Sequence, residues 1–107
     1  MKKVIKYQLS NGKIPFDEWF STLDKPIKAK VLIRIERVKI GLYGKHRNLK
    51  KGIIELKFES GERIYFFEEN DTIVLLLNAG NKTRQSSDIK TAELYFNDYK
   101  ERTCKND

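Results

Sequence analysis

An α+β fold is what this 107-residue sequence predicts, on three observations. An alternating segment opens the chain. Two consecutive segments then carry apolar residues at helical spacing, and three apolar runs follow, separated by hairpin-turn signals. The expected architecture is an N-terminal strand and a helical hairpin packed on an antiparallel-dominated sheet of about four strands, closed by a C-terminal helix. Residues 1–107 read as a single domain, since the length suits one core and no repeat or low-complexity linker interrupts it.

The first strand is read over "KVIKYQL", Lys3 to Leu9, with Val4, Lys6 and Gln8 on one face and Ile5, Tyr7 and Leu9 on the other. "SNGK" breaks it. Pro15 suits a first helical turn, and Phe16, Trp19, Phe20 and Leu23 fall at i, i+3, i+4 and i+7, a pattern that argues for core and not for a ligand cage. Asp24 can cap a second helix on which Ile27, Val31, Ile35, Val38 and Leu42 keep helical spacing, with Gly41 and Gly44 ending it.

Three strands are expected next, over Ile53–Phe58, Glu62–Glu69 and Thr72–Asn78. Asn70-Asp71 makes a two-residue hairpin turn. In the earlier turn, "ESGE", a two-residue loop would set Arg63 opposite Phe58. A three-residue loop, Glu59-Ser60-Gly61, pairs Lys57 with Arg63 and gathers Ile54, Leu56, Phe58, Ile64 and Phe66 on one side. A one-residue slip exchanges the two faces, so the segregated register is the one expected. Counting on through Asn70-Asp71 sets Asn78 beside Arg63. A last helix, begun at Ser86, Ser87 or Asp88, turns Ile89, Ala92, Phe96 and Tyr99 inward, and the tail over 103–107 is expected to fray.

Composition narrows the functional classes. Charged residues are 35% of the chain and apolar ones 39%, the balance of a soluble globular protein, and no run approaches a membrane span. The basic start lacks an apolar signal core, and the single Cys104 can form neither an internal disulfide nor a cysteine zinc site. These points favour the cytoplasm. The net charge of +7 is uneven: Lys25 to Lys51 holds ten Lys and Arg against Glu36 alone, a local +9 that leaves −2 for the rest. Such a region suits a polyanion or an acidic partner, or is simply a solvated helix face and a basic loop.

The expected register gives the second sheet face its own chemistry. Glu55, Lys57, Arg63 and Tyr65 lie there together, read as an open face, and "AGNKTRQSSDI" brings Lys82 and Arg84 to its rim. Arginine forks match phosphate oxygens, lysine supplies a movable charge, and Tyr65 can stack a base or bond a phosphate. The basic loop "YGKHRNLKKG" adds His46, Arg47, Lys50 and Lys51 as candidate RNA contacts. Such a site can hold RNA, or cleave it through the ribose 2′-hydroxyl with fixed cations stabilising the charge that grows on phosphorus. Neither a cofactor nor a metal is expected. Three candidates for the proton acceptor stay open: Glu55, a lysine depressed by its neighbours, and His46. The bland reading of each charge is a cross-strand pair or an ordinary loop cation.

The order "FDEWFSTL", "IERVKIGLYG", "LKKGIIELKFESGERIYFF" and "LLLNAGNKTRQSSDI" resembles the phage-derived addiction-module killer proteins, a HigB-like branch of the RelE/ParE toxin superfamily. The resemblance implies a RelE-like fold and a toxin that enters the ribosomal A site and cuts messenger RNA without metal. It also implies a cognate antitoxin, often a helix-turn-helix protein of HigA type encoded beside the toxin. By the same resemblance Arg63 in "GERIYFF" stands at the scissile phosphate, Lys57 in "ELKF" takes a place usually held by arginine, and Lys82 in "GNKTRQ" matches the cation after the third hairpin strand. Two departures stand out: Ile53 and Glu55 occupy the positions of a RelE lysine pair, and no histidine follows His46. Two other classes remain beside the nuclease: a ParE-like inhibitor of DNA gyrase, and a binding module or inactive toxin that keeps only its antitoxin complex.

Overall fold

The computed structural model describes residues 2–79 and 85–104. In chain order they form β1 (Lys3–Lys6), α1 (Pro15–Ser21), α2 (Lys25–Lys39), β2 (His46–Asn48), a 3₁₀ turn (Lys50–Gly52), β3 (Ile54–Lys57), β4 (Arg63–Glu69), β5 (Thr72–Ala79) and α3 (Gln85–Cys104). The α+β class is as expected, but the sheet has five strands where about four were expected, in the order β1-β5-β4-β3-β2. The additional strand is β2, "HRN". It is three exposed polar residues long and pairs antiparallel with β3, so no side-chain alternation announces it. The first strand is shorter than expected. β1 runs parallel to β5, the Tyr7 amide donates one further bond to the Leu75 carbonyl at 2.9 Å, and the chain then turns at Gly12.

The helical hairpin forms for the expected reasons. Pro15 starts α1, and the Asp24 carboxylate accepts the Ile27 amide at 3.1 Å to cap α2. Val31, Ile35 and Val38 are buried, while Leu42 lies past the helix end and is exposed, which corrects its expected place in the core. The turn before β4 is the three-residue form. Gly61 takes φ 102°, Lys57 pairs with Arg63, and the Phe58 amide bonds the Glu62 carbonyl at 3.1 Å. Asn70 and Asp71 both have positive φ, as a tight hairpin turn requires.

The register of β5 departs from expectation. It runs from Glu69↔Thr72 to Phe66↔Leu75 and resumes at Tyr65↔Leu77, so residue 76 is a β-bulge. The extra residue sets Arg63 opposite Ala79, while Asn78 pairs with Ile64.

Both sheet faces are covered, against the expectation of one open face. Phe16, Trp19, Val31, Ile35 and Val38 pack on Leu56, Ile64, Phe66, Ile73 and Leu75 from the side of the hairpin. On the other side α3 lays Ile89, Ala92, Phe96 and Tyr99 against Tyr7, Ile53, Tyr65, Phe67 and Val74. Phe67 meets the rings of Phe96 and Tyr99 edge-on at 4.7 and 5.5 Å, and Tyr7 stacks on Tyr95. The physical reason is that α3 is 20 residues long, and its apolar stripe needs a sheet face to cover it. α3 includes Thr103 and Cys104, the first two residues of the expected tail, and the rest of that tail lies outside the described residues. Among the described residues no helix is long and apolar enough to cross a membrane.

Candidate functional site

The registers of β2, β3 and β4 set Arg47, Glu55 and Tyr65 in one cross-strand row and Lys57 and Arg63 in the next. Within that block the Glu55 carboxylate is the centre. It is 0% exposed, and an enclosed charge demands partners. The Tyr65 hydroxyl donates to Glu55 Oε2 at 3.0 Å. Arg47 Nε approaches Oε1 at 3.2 Å, and Arg63 Nε lies 3.7 Å from Oε2. Burial first, then the Glu55 charge and the bond to it, push the Tyr65 phenol well above its ordinary pKa. Asp88 on α3 adds to the rise, and Arg63 partly offsets it. Tyr65 is therefore a protonated donor at any ordinary pH.

This geometry revises several expectations. Tyr65 is 0% exposed, so its ring is no stacking platform for a base, contrary to expectation; it orients Glu55. Glu55 meets Tyr65, Arg47 and Arg63, so its carboxylate sits between two guanidinium groups. Arg63 is only 7% exposed, yet among the described residues its Nε has no hydrogen bond. Lys57 is half-buried beside it and has no ion pair among the described residues.

The basic loop divides between the two faces. Arg47 reaches the Glu55 row with much of its side chain exposed. His46 pairs with Leu56 and points the other way. Its Nδ1 donates to the Gly44 carbonyl at 2.8 Å and its ring meets Tyr43 edge-on, so it does not join Glu55 and Arg63. Lys50 borders a cleft of about 530 Å³ between the 3₁₀ turn and α3, together with Leu49, Ile89 and Lys90. Lys51 has φ 64° and donates to Asn97 on α3 at 3.1 Å, a structural tie. Lys82 and Arg84 lie outside the described residues; Ala79, three residues before Lys82, is the cross-strand partner of Arg63.

One residue that sequence reasoning passed over organises this region. Arg34 Nε donates to the Tyr43 carbonyl at 2.7 Å and Nη1 to the Lys57 carbonyl at 2.9 Å, while Nη2 bonds the Lys45 carbonyl. Its guanidinium also stacks 4.9 Å from the Phe58 ring. The fork thus joins α2, the approach to β2 and the end of β3. Gly44 (φ 70°) makes room for it, since a Cβ there would come within 3.0 Å of Arg34 Nε. The only sequence signal is that Arg34 abuts the core stripe of α2 at a position with no acid nearby, which one more cation on a basic helix does not reveal.

Comparison with known proteins adds two findings. The family description "Phage derived protein Gp49-like" matches residues 18–100. An uncharacterized protein of Haemophilus influenzae is 38% identical over 84 residues, which cover 76% of this chain and 85% of the relative.

Proposed function

Because the chain belongs to the phage-derived Gp49-like family, a toxin–antitoxin-associated group, we propose that it is the toxin of a type II pair. Its activity in this reading is that of a ribosome-dependent messenger-RNA endoribonuclease working in the cytoplasm, with a helix-turn-helix antitoxin of HigA type as its partner. The observation that carries the reading is Arg63, nearly enclosed, oriented by Glu55 and flanked by Lys57 and Arg47.

In the proposed reaction the ribose 2′-oxygen forms a bond to the adjacent phosphorus as the bond to the 5′-oxygen breaks. The 2′-hydroxyl gives up its proton, the leaving oxygen gains one, and a cyclic phosphate and a free 5′-hydroxyl remain. Negative charge rises on the non-bridging oxygens, and Arg63 and Lys57 are the groups we assign to it, with Lys82 as a third. Glu55 and Tyr65 act one step back, since the carboxylate charge holds Arg63 nearby and the phenol fixes the carboxylate through its hydrogen bond. Arg47, Lys50 and Arg84 are the proposed contacts to the RNA backbone.

Induced expression tests this. Growth arrest with transcripts cut inside open reading frames is the expected result, and Arg63→Ala should lower cleavage by about 10²–10³-fold. Arrest with intact transcripts and broken DNA would replace this reading with gyrase inhibition.

A further inference from the structure

The outward side of α2 carries a pattern that neither the core nor the proposed reaction uses. Lys30, Ile33 and Arg37 on α2, and Ile40 just past its end, follow one another at spacings of three, four and three, so that two aliphatic side chains alternate with two cations along one seam. Ile33 is 53% exposed and Ile40 59%, and Leu42 just beyond is 58% exposed. Beside the seam lies a cleft of about 950 Å³ walled by Lys30, Arg37, Leu42, Lys45 and Phe58. Arg34 also lines it, but its fork is committed to three carbonyls. Lys30, Arg37 and Lys45 have no ion pair among the described residues, and Glu59 is the one acid at the rim.

We infer that this seam and cleft dock an acidic amphipathic helix of a partner protein. Its apolar side chains would cover Ile33, Ile40 and Leu42, and its carboxylates would meet Lys30, Arg37 and Lys45. Charge selects this occupant. A second copy of the chain would set this cationic helix, six Lys and Arg against Glu36, on its own image. A nucleic-acid backbone would match the cations but leave three large aliphatic side chains wet, and the Phe58 ring, an aromatic at the cleft beside them, is already covered by Arg34. Insofar as the partner is the antitoxin, the inference rests on the function proposed above. It places that contact on the hairpin side of the sheet, opposite Glu55 and Tyr65.

The test uses the full-length protein and a labelled helical peptide about three heptads long, with leucine and glutamate set to match the seam. A scrambled peptide of equal composition and a short single-stranded RNA are the comparators. The patterned peptide should bind at least about tenfold tighter than the scrambled one, and the double variant Ile33→Ser, Ile40→Ser should lose about tenfold. Both positions are exposed, so the variant should keep the parent melting curve and its RNA cleavage. Equal binding of the two peptides, or no loss in the double variant, would reduce the surface to general charge attraction and overturn the inference. So would RNA that displaces the peptide and itself loses affinity in Lys30→Ala, Arg37→Ala. Intact transcripts on induction would sink the nuclease reading and leave the peptide result standing, whereas cleavage that survives Arg63→Ala would remove only Arg63 from the proposed site.

Discussion

On α2, Lys30 and Arg37 stand in solvent with no carboxylate paired to them among the described residues, whereas Arg63 on β4 is nearly enclosed and shares Glu55 with Arg47. The two regions look alike as composition, each a run of cations, but they are built under different constraints. Water stabilises an exposed charge, so the helix can accumulate cations and remain ready for an acidic partner. A nearly enclosed charge has no such recourse, and the fold supplies a buried anion and a phenol to hold it. Enclosure fixes the direction of a guanidinium, which suits work on a reacting phosphate. Exposure leaves the cations adaptable, which suits recognition.

The sharpest way to break this contrast is to remove the buried anion. Glu55→Ala strands Arg63 and the Tyr65 hydroxyl and should cost about 3–5 kcal/mol, read as a drop in the urea midpoint at unchanged slope. Next in size is Arg34→Lys. A single ammonium cannot span three carbonyls, so about 2–3 kcal/mol should go, with faster amide exchange at residues 43–45. A pH titration comes third. The Tyr7 hydroxyl donates to Asp98 at 2.6 Å, and burial, then that bond, push its pKa up to about 12. The folded state thus holds a proton that the unfolded chain releases near pH 10. The Tyr7 contribution should be constant below that pH and be lost as pH rises from 10 towards 12, so Tyr7→Phe should remove about 2 kcal/mol of the fall in chemical unfolding, the rest belonging to the raised Tyr65 and Tyr95 phenols. Arg37→Ala, on the exposed side, should change stability by less than about 0.5 kcal/mol. A larger loss there would mean that the two regions are not built differently after all.

Much of the fold was legible in the sequence because it is governed by local rules. The Asp24 cap, the spacing of Val31, Ile35 and Val38, and the glycine-dependent turn that pairs Lys57 with Arg63 each follow from a few neighbouring residues. What escaped depends on long-range partners. β2 is a short polar edge with no apolar alternation to announce it, and the bulge at residue 76 sits in an apolar run where no residue type marks it. The second buried face was half visible, since Phe67 alternates with Phe66 and cannot face the same way. Glu55 and Arg63 on that face suggested an open surface, although a mutually compensating set can be enclosed. The row itself was read correctly as a neighbourhood and wrongly as a surface.

The fork of Arg34 has a consequence for both regions. One side chain fastens the carbonyl of Lys57, next to Arg63, and the carbonyl of Lys45, at the lip of the α2 cleft. A protein seated in that cleft therefore presses on the same bracket that anchors the end of β3. Gly44 is where that coupling constrains the sequence, since a side chain there would push on the fork that serves the outer wall and the inner row together.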